Sequence, residues 1–195
     1  MSRVGIVARQ TTETKIAVTV NLDGSGRAEV QTGIGFFDHM LILWTKHGHF
    51  DLTATVDGDL HIDGHHTVED AGIVLGQAFV QALGDKAGIK RYGNAFVPMD
   101  ETLAQVCVDI SGRPFLHYEA AITAERVGTF DTELVEEFLR AFVQHAGLTL
   151  HVRVLYGKNA HHMIEAIFKA LARALAEAVQ RDERISGVMS TKGSL

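Results

Sequence analysis

His65-His66-Thr67-Val68-Glu69-Asp70 opens a run of apolar residues with helical spacing, and the pattern returns in His161-His162-Met163-Ile164-Glu165-Ala166. Residues four apart share one face of a helix, so each glutamate lies beside the first histidine of its pair. The second histidine points about a quarter-turn away. Two imidazoles and a carboxylate suit a divalent first-row metal. Paired histidines are poor core residues because both rings need polar partners, so we interpret both copies as metal ligands.

The regions around the two copies predict an internal repeat of strand, strand, helix, strand and helix. The first half, residues 1–92, has predicted strands at 3–9, 15–22, 27–32 and 50–56, with helices at 36–47 and 65–83. The second half, residues 93–195, has predicted strands at 104–110, 115–121 and 148–156, with helices at 132–146 and 160–179. Residues 23–26 and 111–114 are predicted turns within hairpins, and residues 89–101 are a predicted connector. We expect the halves and a polar C-terminal tail to form one compact unit.

Composition limits the class of protein. The chain has 195 residues, 46% apolar and 22% charged, and its net charge of −6 argues against nucleic-acid binding. No apolar run approaches the roughly 20 residues that span a bilayer, and the N-terminus lacks a signal-peptide pattern. The single cysteine, Cys107, excludes an internal disulfide framework and fits a reducing cytosol. We expect a cytoplasmic protein that contacts neither nucleic acid nor membrane, with Cys107 as a buried strand residue.

Further ligands follow from aligning the two halves. His39 aligns with Glu137, and both side chains are able to bind a metal. His47 aligns with His145, which leaves His145 as an alternative to Glu137 in the second half. The preferred donors, enough for two ions, are His39, His65, His66, Glu69, Glu137, His161, His162 and Glu165. This mixture of imidazole and carboxylate suits Mn²⁺, Fe²⁺ or catalytic Zn²⁺.

Cations near the second copy suggest an anionic ligand. Lys169 continues the helix stripe of His161 and Glu165, whereas the equivalent position in the first half is Ile73. Arg91, Arg113 and Lys192 lie close to glycines, which allow a ligand to approach the backbone. Residues 190–193, Ser-Thr-Lys-Gly, form a plausible phosphate clasp, although a flexible tail explains their composition equally well.

These motifs together resemble the imidazoleglycerol-phosphate dehydratase family of histidine biosynthesis, in its monofunctional form. The resemblance covers nearly the whole chain. Its motifs are Thr12-Glu13-Thr14, Asp38-His39-Met40-Leu41, His61-Ile62-Asp63-Gly64 with the first His pair, Asp109-Ile110-Ser111-Gly112-Arg113-Pro114, the second His pair with its glutamate, and Ser190-Thr191-Lys192-Gly193.

The resemblance implies a duplicated α+β fold whose helices pack between two mixed β-sheets. It also implies a 24-subunit homo-oligomer with intersubunit active sites, each holding two Mn²⁺ ions on the eight donors named above. Relatives often have histidine in place of Glu137, and a carboxylate is an acceptable replacement on Mn²⁺. Relatives often have Asp-Gln in place of Ile42-Leu43, so we expect a polar substrate contact to be missing there.

The implied reaction removes water from the glycerol chain of imidazole glycerol phosphate and yields imidazole acetol phosphate. A metal on the imidazole would lower the pKa of the ring N–H, which helps to expel the hydroxyl group and acidifies the neighbouring C–H. We hypothesise that Glu13 and Glu165 transfer the protons. The predicted phosphate ligands are Arg91, Arg113, Lys169, Ser190 and Lys192.

Two other functions share these residues. A dinuclear metallohydrolase would use a metal-bound hydroxide on a phosphorylated substrate, and release of phosphate would identify it. A metal-assembled structural or storage shell would need no catalysis. In that case Glu13, Arg113 and Lys192 would tolerate alanine, whereas the His pairs would not.

Overall fold

The computed structural model describes residues 3–195, which form four helices, two four-stranded mixed sheets and one short two-stranded hairpin. The first half contains β1 (Val4–Gln10), β2 (Thr14–Asn21), β3 (Ala28–Gln31), α1 (Gly35–Gly48), β4 (Asp51–Gly58) and α2 (His65–Leu83). The second half contains β5 (Tyr92–Met99), β6 (Thr102–Asp109), β7 (Phe115–Glu119), β8 (Arg126–Val127), β9 (Phe130–Asp131), α3 (Leu134–Ala146), β10 (Thr149–Tyr156) and α4 (Ala160–Val179). The predicted α+β class is confirmed.

The two large sheets have the same topology. Their strand orders are β1-β2-β4-β3 and β5-β6-β10-β7. In each sheet the last pair, β3 with β4 or β7 with β10, is parallel and the other pairs are antiparallel. Each sheet therefore arises from three strands followed by a helix and a strand, in the same order in both halves. The predicted repeat of strand, strand, helix, strand and helix was one strand short.

The predicted hairpins at residues 23–26 and 111–114 are wrong. β4 lies between β2 and β3, and β10 lies between β6 and β7, so the strands on either side of each turn do not pair. At the first turn, Asp51 at the start of β4 accepts hydrogen bonds from the backbone N–H groups of Ser25 and Arg27, at 2.8 and 3.0 Å. Alternating residues followed by glycines are compatible both with a hairpin and with a connection that leads to a strand farther away in the sheet. The contact with β4 decides for the second.

The predicted connector at residues 89–101 is also wrong, because most of it is the edge strand β5. Pro98 is acceptable there because an edge strand has backbone groups without a ladder partner. Gly93 faces α4 so closely that an added Cβ would lie 1.9 Å from the carbonyl oxygen of Ala174. Gly5 of β1 meets Ala78 of α2 at the same 1.9 Å. The edge strand of each sheet thus needs glycine for its long helix to approach.

The four helices pack between the sheets, as predicted. α2 lies on β1 and β2, α4 lies on β5 and β6, and the two layers meet where α1 contacts α4 and α2 contacts α3. The strands alternate accordingly, with Ile16, Val18 and Val20 buried and Lys15 and Ala17 exposed. Within residues 3–195, no helix is both long and apolar enough to cross a membrane.

Cys107 lies on β6 but does not point into the core. The inward residues of this strand are Ala104, Val106 and Val108, and Cys107 lies between them, partly exposed on the outer face. The prediction of a buried cysteine was wrong because Cys107 shares its face of the strand with Gln105 and Asp109, whereas Val106 and Val108 face the core. The apolar character of a neighbouring residue therefore does not identify the inward face.

Candidate active site

His39 of α1 and His161 and Glu165 of α4 form one compact group of potential metal ligands. One donor atom from each residue lies within 4.8 Å of the others. Oε2 of Glu165 lies 3.5 Å from Nε2 of His39 and 3.1 Å from Nε2 of His161. The packing of α1 against α4 therefore joins ligands from the two halves of the sequence, in a combination that the alignment of the halves did not specify.

Lys169 balances the charge of Glu165, which is only 7% exposed. Its Nζ lies 2.5 Å from Oε1 of Glu165, so Oε2 is left to face the two imidazoles. Burial by itself raises the pKa of Glu165, but Lys169, His161 and His39 together hold it below its ordinary value. The glutamate is thus kept as a carboxylate, the form that binds a metal.

The start of α4 fixes where its two histidines point. The side chain of Asn159 caps the helix and accepts hydrogen bonds from the backbone N–H groups of His161 and His162, at 2.9 and 3.3 Å. His162 turns away from His161 and contacts Glu101, whose Oε2 lies 2.8 Å from Nδ1 of the ring. This hydrogen bond raises the pKa of His162 and lowers that of Glu101. The two rings of the pair therefore point to different carboxylates, His161 to Glu165 and His162 to Glu101.

The first copy of the motif lies at the start of α2 and is more open. Nε2 of His65 lies 3.8 Å from Oε2 of Glu69, and both side chains are 44% exposed. Nδ1 of His66 lies 3.0 Å from Asp59, which raises the pKa of His66. Nε2 of His66 faces Glu13 at 3.9 Å. In the described part of the chain, neither His65 nor Glu69 belongs to a group of three potential ligands.

Glu137 and His145 both lie on α3, in different surroundings. Glu137 precedes the C-cap Gly147 by ten residues, just as His39 precedes the C-cap His49 by ten residues. Nδ1 of His145 instead lies 2.9 Å from the carbonyl oxygen of Ala141 in its own helix, and its Cβ packs against Gly76 of α2. The geometry therefore favours Glu137 over His145 as the counterpart of His39.

Four of the five predicted phosphate ligands lie beside the C-terminal tail, and the fifth, Lys169, lies apart from them. Arg91 forms a fork on Asp109 and donates to the carbonyl oxygen of Met189, at 2.7 Å, so it fastens the tail beside the last turn of α4. The backbone N–H of Arg91 donates to the carbonyl oxygen of Ala178, near the end of α4. The helix rise of about 1.5 Å per residue places Ala178 about 26 Å from His161. Ser190 lies in the same cleft as Arg91, about 560 Å³ in volume. Arg113 reaches Asp109, the partner of Arg91, at 3.8 Å, and Lys192 follows the cleft residue Thr191; both side chains are exposed. Lys169 lies at the metal-ligand end, against Glu165.

Two further side chains escaped the sequence analysis. Asp59 and Glu101 are the carboxylates that hold His66 and His162. A signal for Glu101 was present, since Glu13 and Glu101 each directly precede the first residue of the second strand in their half, Thr14 of β2 and Thr102 of β6. Leu43 lies one turn after His39 on α1 and packs against the core.

The donor set fits a divalent cation. Two ligand atoms about 2.1 Å from one ion are at most about 4.2 Å apart, and the donors of His39, His161 and Glu165 approach this spacing within their 4.8 Å limit. The carboxylate is held ionised and two ring nitrogens converge on it. The fold and this group define an α+β protein with a candidate metal centre of imidazole and carboxylate ligands between its helices.

Comparison with known proteins gives the family. The model of the imidazoleglycerol-phosphate dehydratase family matches residues 32–175. The imidazoleglycerol-phosphate dehydratase of Clostridium botulinum is 63% identical over 97% of this chain and 96% of its own length, and that of Acetivibrio thermocellus is 59% identical over the whole of both. The crystal structure of the Staphylococcus aureus enzyme covers 92% of this chain and 99% of its own, with a TM-score of 0.84 and 45% identity. The chain belongs to the imidazoleglycerol-phosphate dehydratase family, whose activity is the dehydration of imidazoleglycerol phosphate in histidine biosynthesis.

Proposed function

We propose that the chain dehydrates imidazole glycerol phosphate to imidazole acetol phosphate with the help of two Mn²⁺ ions per active site. The observation that carries the proposal is the group of His39, His161 and Glu165, where two ring nitrogens converge on a buried, ionised carboxylate. Fe²⁺ and Zn²⁺ accept the same ligand types and are substitutes for Mn²⁺. A divalent metal bound to the substrate would lower the pKa of its imidazole N–H and so favour departure of the hydroxyl group.

The proposed ligands fall into three sets. His39, His161 and Glu165 form the group already assembled between α1 and α4. His65, Glu69 and Glu137 occupy the equivalent positions on α2 and α3 by the repeat, and the assembled protein would bring them together on the second ion. His66 and His162, whose rings turn away from these groups, complete the coordination in the assembled protein.

The active site is proposed to lie between subunits. Within one chain, the tail and Arg91 are separated from the ligands at the start of α4 by about 26 Å of helix, farther than a substrate of this size spans. The exposed His65 and Glu69 also leave ligands available to a neighbour. Subunits that pair these two ends would supply the phosphate ligands Arg91, Arg113, Lys169, Ser190 and Lys192 beside the metals. We propose the 24-subunit homo-oligomer that the family resemblance implies.

Glu13 and Glu165 are the proposed proton-transfer groups. The Glu13 side chain is 51% exposed on the turn between β1 and β2, and it faces His66, so it is free to reach a bound substrate. Glu165 is fastened to Lys169 and faces both imidazoles, which limits its movement. Glu13 is therefore the better candidate for exchanging a proton with the substrate carbon, whereas Glu165 acts beside the metal.

We further propose that residues 1–92 and 93–195 descend from one duplicated unit. The matching strand orders and the matching contacts of Gly5 and Gly93 support the duplication, and they assign Tyr92, the first residue of β5, to the second unit. The single cysteine and the biosynthetic role of the family support a cytoplasmic location.

One experiment with three proteins tests the proposal. The wild type is stripped with a chelator, returned to Mn²⁺, and followed by metal content, by formation of imidazole acetol phosphate and by light-scattering mass. His161→Gln is expected to lose metal and turnover, because it removes one of the three converging donors. Glu13→Gln is expected to keep its metal and lose about 100-fold or more in turnover, in the range typical of a proton-transfer group.

The stripped wild type should be inactive and of lower mass, and Mn²⁺ should restore both properties. Full turnover without metal would contradict the metal dependence, and an apo-assembly of undiminished mass would contradict a shared site held by metal. Unchanged turnover in Glu13→Gln would remove this residue from the mechanism.

A further inference from the structure

The second histidine of each pair is held by a carboxylate on its Nδ1 atom. Nδ1 of His162 lies 2.8 Å from Oε2 of Glu101, and Nδ1 of His66 lies 3.0 Å from Oδ2 of Asp59. The two carboxylates come from different loops, Glu101 from the turn between β5 and β6 and Asp59 from the end of β4. A carboxylate therefore contacts Nδ1 of the second histidine in both copies, although the two carboxylates lie in different parts of the repeat.

A neutral imidazole carries one proton, and its other nitrogen is the ligand atom. A carboxylate only accepts hydrogen bonds, so it retains the proton on Nδ1 and leaves the lone pair of Nε2 free. Outer partners of this kind also orient the ring and make it a stronger ligand. We propose that Glu101 is a positioning residue that keeps His162 in the Nδ1–H tautomer, with Nε2 ready to bind a metal. This inference rests on the proposed role of His162 as a ligand.

Glu101 is clamped more firmly than Asp59. Its Oε1 accepts hydrogen bonds from the backbone N–H groups of Lys158 and Asn159, at 3.1 and 2.8 Å. These two donors leave only Oε2 for His162. Asn159 in turn caps α4 and holds the backbone of His162, so Glu101 connects the cap and the ring. Both oxygens of Asp59, in contrast, lie within 3.2 Å of the His66 ring nitrogen.

The clamp makes Glu101→Gln a test of the tautomer. The amide oxygen is expected to remain on the two backbone N–H groups, which places the amide NH₂ against Nδ1 of His162. A donor at that position selects the Nε2–H tautomer and removes the lone pair that the metal needs. Asp59→Asn is expected to leave His66 unchanged, because that amide is free to turn its oxygen toward the ring.

The experiment reads the tautomer and the metal separately. In the metal-free chain, ¹⁵N NMR at a pH above the imidazole range identifies which nitrogen of His162 carries the proton, with His162→Gln for assignment. Calorimetric titration with Mn²⁺ then measures affinity and stoichiometry. Glu101→Gln is expected to move the proton to Nε2 and to weaken Mn²⁺ binding about 10- to 100-fold at the affected site.

Two variants serve as controls. Glu177→Gln makes the same change at a glutamate that accepts the backbone N–H of Asn94, at 2.9 Å, and it should alter neither measurement. Glu101→Asp keeps an acceptor and should retain the Nδ1–H tautomer, which separates loss of the carboxylate from loss of folding. An unchanged tautomer with unchanged Mn²⁺ affinity in Glu101→Gln would overturn the inference. A wild type that binds no Mn²⁺ would instead overturn the proposed function, while the NMR comparison would still decide the tautomer.

Discussion

The two copies of the His-pair motif lie at the starts of equivalent helices but have different surroundings. At α4, His161 and Glu165 meet His39 of α1 and form a closed group of three donors. At α2, His65 and Glu69 remain half-exposed, and α3 brings no third donor to them within the described residues. The same short sequence therefore produces a group already assembled within one chain in one half and an open set of ligands in the other.

Residues farther along the two helices also differ. Counted from the His pairs, Gly72, Ile73 and Gly76 of α2 occupy the positions of Phe168, Lys169 and Ala172 of α4. A Cβ on Gly72 or Gly76 would lie 2.8 Å from a backbone oxygen of α3, so the two glycines allow that pair of helices to approach closely. Lys169 balances Glu165, whereas Ile73 offers no charge to Glu69. The two copies thus differ in the charge beside the glutamate, and α2 packs closely on α3 through its glycines.

The largest expected contrast comes from the paired glutamates. Glu165→Gln should lower the free energy of unfolding by about 2–3 kcal/mol in the chelated protein, because Lys169 loses its neutralising partner in a mostly buried site while the amide still accepts its hydrogen bond. Glu69→Gln should change it by less than about 0.5 kcal/mol, since that side chain is exposed. Urea denaturation of both variants measures the contrast, and equal effects would mean that the two copies are energetically alike.

The glycines of α2 provide the next contrast. Gly72→Ala and Gly76→Ala each introduce a Cβ into the contact with α3, at an overpacking cost of about 1–3 kcal/mol that a gain of about 1 kcal/mol in helix propensity partly offsets. Gly35→Ala is the control, because nothing lies within 4 Å of its Cβ position at the start of α1. Thermal denaturation should rank Gly35→Ala as the most stable of the three. A stabilising Gly76→Ala would show that α2 and α3 have room to separate.

The smallest expected effect on stability concerns the arginine that directly precedes the first strand of each half. Arg3 pairs with Asp23 as Arg91 pairs with Asp109, but the Asp23 side chain is 45% exposed and that of Asp109 only 17%. Hydrogen bonding to Arg3 lowers the pKa of Asp23, despite an opposing effect of burial. The folded-state pKa thus lies below the unfolded value of about 3.9, so this contribution is present above about pH 4 and is lost as the pH falls through the folded value.

We expect the Asp23 contribution to stay below about 1 kcal/mol because the pair is exposed. Denaturation of the wild type and of Asp23→Asn should therefore converge as the solution is acidified. A difference between them that grows with acidification would have the opposite sign and would exclude this explanation.

Local patterns were sufficient to predict most elements of the fold. The observed bounds of α2, His65–Leu83, and of α4, Ala160–Val179, match the predicted helices. Apolar residues at helical spacing begin after each His pair and stop where the helix ends. β5 was missed because Gly93 and Pro98 are typical of loops. They are acceptable there only because the strand lies at an edge and packs against α4. Strand pairing was missed as well, since Asp51, which positions the turn after β2, is distant in sequence.

The sequence by itself determined the candidate ligands, because the repetition of a His pair with a glutamate at helix spacing is a local property. Only the tertiary structure decided how they combine. The packing of α1 against α4 brought His39 to His161 and Glu165, and the partly buried Lys169 kept the carboxylate ionised. Residues distant in sequence, Asp59 and Glu101, supplied the carboxylates that contact His66 and His162. Spacing along one helix determines which side chains share a face, but the partner that this face meets depends on contacts between distant parts of the chain.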